Sequence, residues 1–126
     1  MYNIAVCDDE PKLCTQIERI IEEISEENVF HTEVFYTCEK LYQAMEAGEH
    51  FDLIFLDIEF KQMNGVSMGR RIRDELKNEQ VQIVYVSSKE SYAMELFESR
   101  PMNFLIKPVT EEKIRGCICK GMKLSQ

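Results

Sequence analysis

The sequence predicts an α/β fold, with five strands alternating with five helices in a mostly parallel sheet covered on both faces. Three observations carry this. Short apolar runs alternate with stretches of helical period along the whole chain. Several of the runs, such as "NIAVC" and "DLIFLD", are almost continuously apolar, as strands buried on both faces require. Polar and charged residues gather at the C-terminal ends of these runs, the edge at which open α/β sheets bind ligands.

The elements follow in order. "NIAVC" (3–7) is the first strand, and Pro11 suits a helix start. Leu13, Ile17, Ile20, Ile21 and Ile24 then form one helical stripe, with Glu18, Arg19, Glu22 and Glu23 off it. "TEVFYT" (32–37) is the second strand, and Leu41, Ala44 and Met45 line a helix that stops near Gly48. The run 51–57 is the third strand, and Met68, Ile72 and Leu76 share one face of the third helix. In "GRRIRDELK" (69–77) the charges alternate in sign, which reads as a solvated helix face and not as a nucleic-acid surface. "VQIVYVS" (81–87) is the fourth strand, and Tyr92, Ala93, Leu96 and Phe97 mark the fourth helix. "NFLIK" (103–107) is a short fifth strand ended by Pro108, and Ile114, Cys117, Ile118 and Gly121 mark the last helix.

A length of 126 residues fits one domain, and 44% hydrophobic with 30% charged residues supports a real core and a soluble surface. The net charge of -8 argues against wholesale binding to DNA or anionic lipid. The N-terminus carries no basic, then apolar leader, and no run is long enough to span a membrane, so a cytoplasmic location and no membrane partner are expected. The five cysteines form no C-x-x-C pair and read as small buried hydrophobes in a reducing compartment. His31 and His50 have no ligand partners at metal spacing and read as surface residues.

The chemistry concentrates at the strand ends. Strand 1 runs into Asp8-Asp9-Glu10, strand 3 into Asp57, strand 4 into Ser87-Ser88 and strand 5 into Lys107-Pro108. A parallel sheet brings these ends together along its carboxyl edge, although they are far apart in the chain. Three aspartates against one lysine leave two negative charges, which one divalent cation balances. A small set of oxygen ligands suits Mg2+, which keeps open positions for phosphate oxygens. An aspartate beside such an ion can act as a nucleophile and form an aspartyl phosphate, with the cation and Lys107 neutralising the transferring group.

On these residues the whole chain resembles the receiver domain of two-component response regulators. The resemblance implies a flavodoxin-like doubly wound five-stranded parallel sheet of order 2-1-3-4-5 with five helices. That order comes with the family and not from the periodicity. In "LIFLDIE" it makes Asp57 the phospho-acceptor and gives Mg2+ the backbone carbonyl of Glu59. Asp9 is then the more direct metal ligand, and Asp8 acts mainly through water. Gly65 matches the family's loop glycine, Ser87 the switch hydroxyl, Phe104 the switch aromatic and Lys107-Pro108 the lysine–cis-proline step. Asp57, Lys107 and Ser87 are thus the reacting set, and Asp8, Asp9, Asp57 and Glu59 the metal set. The stretch "SKESYAMELFESRPMNFLIKP" is further similar to receivers joined to a LytTR-type DNA-binding domain.

The resemblance implies a signalling domain and not an enzyme, one that assists its own phosphorylation and dephosphorylation. Its expected partners are a sensor histidine kinase and a second copy docked through the fourth helix, fifth strand and fifth helix. DNA is expected only through a separate effector domain, which residues 1–126 do not include. Two positions depart from the family pattern: Lys61 stands where a loop proline is common, and Phe104 lacks the hydroxyl of the commoner tyrosine. Three other readings compete. A haloacid-dehalogenase-like phosphatase needs a second aspartate where Glu59 stands. An FMN binder needs phosphate-cradling loops where Asp8 and Asp9 stand. A pseudo-receiver would be an interaction module that never takes phosphate.

Overall fold

The computed structural model describes residues 1–24, 29–59 and 64–124, with only the backbone of 90–94. In chain order these form β1 (Tyr2–Cys7), α1 (Pro11–Ile24), β2 (Phe30–Phe35), α2 (Cys38–Glu46), β3 (Leu53–Asp57), α3 (Gly65–Asp74), β4 (Gln82–Ser87), a 3-10 helix (Glu90–Ser99), β5 (Asn103–Ile106) and α4 (Glu111–Leu124). The strands make one sheet of order β2-β1-β3-β4-β5, and every pairing is parallel.

Alternation along the strands divides the core in two. Ile4, Val6, Leu53, Phe55, Val84 and Val86 point to one face, where Leu13, Ile17, Ile20 and Ile21 of α1 and Ile114 and Ile118 of α4 cover them. Ala5, Cys7, Ile54, Leu56, Ile83 and Tyr85 point to the other, under Leu41 and Met45 of α2 and Met68 and Ile72 of α3. Both parities are buried, which is why the strands read as continuous apolar runs. Each Leu or Ile buried in this way contributes about 1.5–3 kcal/mol.

The second strand lies two residues earlier than the periodicity suggests. Thr37 is drawn out of it to cap α2, where its hydroxyl accepts from the backbone N–H of Lys40 at 3.2 Å. Beyond the C-terminal end of α2, Gly48 has φ +104°, a conformation that glycine adopts without strain. Cys7, Cys14, Cys38 and Cys117 are buried as expected, but Cys119 is exposed. Two positions past Cys117 on α4, it points the other way. His31 and His50 are exposed.

The expected fourth α-helix is the largest correction: the described residues contain four α-helices, and 90–99 is a 3-10 helix. Its N-cap Lys89 makes no side-chain cap, and Arg100 ends it in the left-handed region at φ 52°. A period of three places Leu96 and Ser99 in one row, and both are buried. The adjacent Phe97, expected on the inner stripe, is rotated out and 73% exposed. The side chains of Tyr92 and Ala93 lie outside the described residues.

Ser99 explains the anchoring of this helix. Its hydroxyl lies 2.6 Å from the Tyr85 hydroxyl and donates to the Leu96 carbonyl at 2.9 Å. Tyr85 fits because Gly69 faces it; a Cβ at Gly69 would run into the phenol oxygen. Arg73 completes the junction and corrects the reading of 69–77 as solvated throughout, since it is only 5% exposed. It donates to the carbonyls of Ser99 (2.8 Å), Asn78 (3.0 Å) and Val81 (2.8 Å). Its neighbours behave as expected: Arg70 pairs with Glu98, and Arg71 with Glu75. Arg73→Met should destabilise the protein by about 3 kcal/mol in urea unfolding, because buried carbonyls lose their donors. A change below about 0.5 kcal/mol, the range of ordinary surface substitutions, would contradict the anchoring role.

Candidate functional site

The carboxyl ends of β1, β3, β4 and β5 bring Asp8, Asp57, Ser87 and Lys107 together, as the strand-end pattern predicts. Asp8 follows β1, and its N–H donates to the Phe35 carbonyl at 3.0 Å. Its side chain is buried at 2% exposure, and Oδ1 accepts from the Glu10 N–H at 2.8 Å. Asp57, also 2% exposed, ends β3, and its Oδ1 accepts from the Glu59 N–H at 3.2 Å. The carboxylates of Asp8, Asp9 and Asp57 each place an oxygen within 4.8 Å of the others.

Lys107 meets them from β5. Its Nζ is 3.4 Å from Asp8 Oδ2, 3.5 Å from Asp57 Oδ1 and 3.6 Å from Glu10 Oε2. The Lys107–Pro108 peptide is cis, as the resemblance implies. One ammonium serves several carboxylates, and it does so as a charge neighbour: Asp8 Oδ2 is buried and receives no hydrogen bond. Burial, and then the charge of Asp57, pushes the Asp8 carboxyl up to about 6. Burial also raises Asp57, against the pull of Lys107. For Lys107 burial works downward, but the charges of Asp8 and Asp57 outweigh it and hold the ammonium above its ordinary value. The pocket is therefore overcharged with acid and short of cation. An orphaned buried carboxylate oxygen among oxygen-only donors fits a hard divalent ion such as Mg2+.

Gly65, at the start of α3, sets the floor of the acceptor loop. Its N–H donates to the Ile58 carbonyl at 3.1 Å. A Cβ there would run into the Asp57 carbonyl oxygen and stand 2.8 Å from Ile58 Cα. Only glycine lets the helix approach Asp57 so closely. Lys61 lies outside the described residues.

Ser87 is fully buried, and its hydroxyl accepts from the Lys89 N–H at 3.0 Å and donates to the Lys89 carbonyl at 3.4 Å. The Ser87 carbonyl accepts from the Lys107 N–H at 2.8 Å, which ties the two strand ends. Phe104 on β5 lies opposite Tyr85 and is half-buried against the core beneath α2 and α3. Sequence reasoning used only the backbone of Glu59 and missed its side chain. That carboxylate receives the Ser88 hydroxyl, at 2.8 and 3.0 Å from its two oxygens. Partial burial works to raise Glu59, but the Ser88 hydrogen bonds prevail and hold it below its usual range. Beside Lys107 a cleft of about 430 Å³ opens between Pro108 and the first turns of α1, with Leu13 and Gln16 on its wall.

A family model for the response regulator receiver domain matches residues 4–118, and the chain belongs to that family. Its relatives are LytR- and LytT-type response regulators. It is 26% identical over 98% of its length to the sensory transduction protein LytR of Streptococcus agalactiae, covering 49% of that protein. It is 27% identical over 92% of its length to an uncharacterized response regulatory protein of Vibrio cholerae, covering 43% of that protein. The chain thus spans about half the length of these curated relatives. Among solved structures, a two-component response regulator from Clostridium difficile superposes with a TM-score of 0.82 at 21% identity, covering 98% of this chain and 97% of the other. The response regulator TrrA of Thermotoga maritima, solved with Mg2+ and BeF, gives 0.79 at 21% identity over 96% of this chain and 99% of its own. At these identities the shared property is the fold.

The charge excess has a measurable consequence. The raised Asp8 carboxyl contributes stability while protonated, and that contribution is lost as pH rises through about 6. In metal-free buffer at pH 7, Asp8→Asn should therefore stabilise the protein by about 2 kcal/mol. The gain should shrink at pH 5, where most of the wild-type Asp8 is already neutral. Chemical unfolding at both values decides it; a variant less stable than wild type at pH 7 would contradict the account.

Proposed function

We propose that this domain is a phosphorylation-dependent signalling switch that takes a phosphoryl group onto Asp57. The observation that carries the reading is the buried Asp57 carboxylate, held at the sheet edge beside Asp8, Asp9 and Lys107, with Asp8 Oδ2 receiving no hydrogen bond. Asp8, Asp9, Asp57 and the backbone carbonyl of Glu59 would hold Mg2+. When bound, the ion supplies positive charge and open positions for phosphoryl oxygens. An Asp57 oxygen attacks phosphorus, the bond to the donor's leaving group breaks, and its electron pair departs with the donor. Lys107 offsets charge on the transferred group, and the closed walls around Asp57 and Ser87 limit water.

The donor in this reading is a sensor histidine kinase. Ser87 leaves Lys89 and donates to the new phosphoryl oxygens, and Phe104 turns inward into the space vacated beneath the 3-10 helix. The face made by that helix, β5 and α4 changes shape. A second copy or an attached effector reads it, and the relatives named as transcriptional regulators favour transcription as the output. A cytoplasmic site of action follows from the kinase partner. A pseudo-receiver that never takes phosphate is the competing reading, and the full set of acidic, hydroxyl and lysine positions weighs against it.

Incubation with acetyl phosphate and Mg2+, followed by mass spectrometry, should add one phosphoryl group to the wild type and none to Asp57→Asn. Equal labelling of the variant, or no labelling of the wild type, would refute the acceptor assignment. In the same samples the Phe104 ring resonances should shift on labelling; unshifted rings would remove Phe104 from the output.

A further inference from the structure

We propose that the Glu59 side chain is a positioning residue: through Ser88 it latches the loop after β4 in the phosphate-free state, and phosphorylation releases it. The inference rests on the reading of Asp57 as the acceptor. The Ser88 hydroxyl donates to both Glu59 oxygens, at 2.8 and 3.0 Å, and the Ser88 N–H lies 3.4 Å from Oε2. These contacts bridge the loops after β3 and β4, beyond the last backbone bond between them, Ile58 N–H to the Val86 carbonyl at 3.1 Å.

The latch is connected at both ends to groups the reaction uses. The Glu59 N–H donates to Asp57 Oδ1 at 3.2 Å, so the backbone of the latch residue touches the acceptor. Ser88 separates Ser87 from Lys89, whose N–H holds the Ser87 hydroxyl at 3.0 Å. The Ser87 hydroxyl also donates to the Lys89 carbonyl at 3.4 Å, so turning its proton to a phosphoryl group on Asp57 gives up that bond, and in this proposal the shift of the loop draws Ser88 away from Glu59. The phosphoryl group assists, because replacing the Asp57 carboxylate by an acyl phosphate adds about one negative charge two residues from Glu59. Like charges push the Glu59 side chain outward, and its hold on Ser88 weakens. The latch therefore favours the resting conformation, and its removal leaves less to undo when the acceptor is charged.

Beryllofluoride with Mg2+ serves as the probe, its dissociation constant measured by calorimetry on wild type, Ser88→Ala, Glu59→Ala and the double variant. Ser88→Ala should bind roughly threefold to fivefold more tightly than wild type, and should change nothing in the Glu59→Ala background. In ligand-free protein, amide exchange at Ser87, Ser88 and Lys89 should quicken in both single variants. An unchanged affinity in Ser88→Ala, or the same shift in both backgrounds, overturns the latch. A wild type that binds no beryllofluoride overturns the acceptor reading and the latch with it.

Discussion

The structure depends on an unbalanced collection of charge. Asp8 and Asp57 are carried to the edge of the sheet by apolar strands and stay buried there, and among the described residues Lys107 is the cation held between them. Two carboxylates within 4.8 Å repel each other by of order 3 kcal/mol at the effective dielectric of a protein surface. The fold tolerates this because the sheet beneath is covered on both faces and the backbone around each acid is tied down. An edge this acidic has most to gain from a bound cation.

The rest of the architecture separates what is fixed from what can move. Gly65 lets α3 press against the acceptor backbone, so Asp57 has little freedom. At the other end, Arg73, Tyr85 and Ser99 pin the C-terminal end of the 3-10 helix to α3. Between these anchors lies the segment that carries Ser87 and Ser88, held by the Ser88–Glu59 and Ser87–Lys89 contacts and tied to β5 by the Lys107 N–H on the Ser87 carbonyl. Phe104 is half-buried on β5, whereas the equally aromatic Tyr85 is locked by Ser99.

Much of this was legible in the chain. Strands buried on both faces must be apolar at every position, so β1, β3 and β4 stand out without alignment. The strand-end acids and Lys107 could be placed together once the sheet was taken as parallel. Local pattern failed where long-range contacts decide. The stretch 90–99 has helical spacing, but Ser99 bonding to Tyr85 winds it as a 3-10 helix and turns Phe97 to solvent. Arg73 sits among alternating charges and looked solvated; its partners are carbonyls of distant loops, which leave no trace in sequence. The Glu59 side chain was overlooked for the same reason, since Ser88 is 29 residues away.

The central claim is that the acidic edge is a cation site, and thermal unfolding against Mg2+ concentration tests it most directly. The midpoint should rise and follow the mass-action form for one site, well above the change produced by NaCl at equal ionic strength. Asp9→Ala should flatten the rise, because one carboxylate is lost while Asp8, Asp57 and Lys107 remain in place. A wild-type response to Mg2+ no larger than that to NaCl would contradict the account.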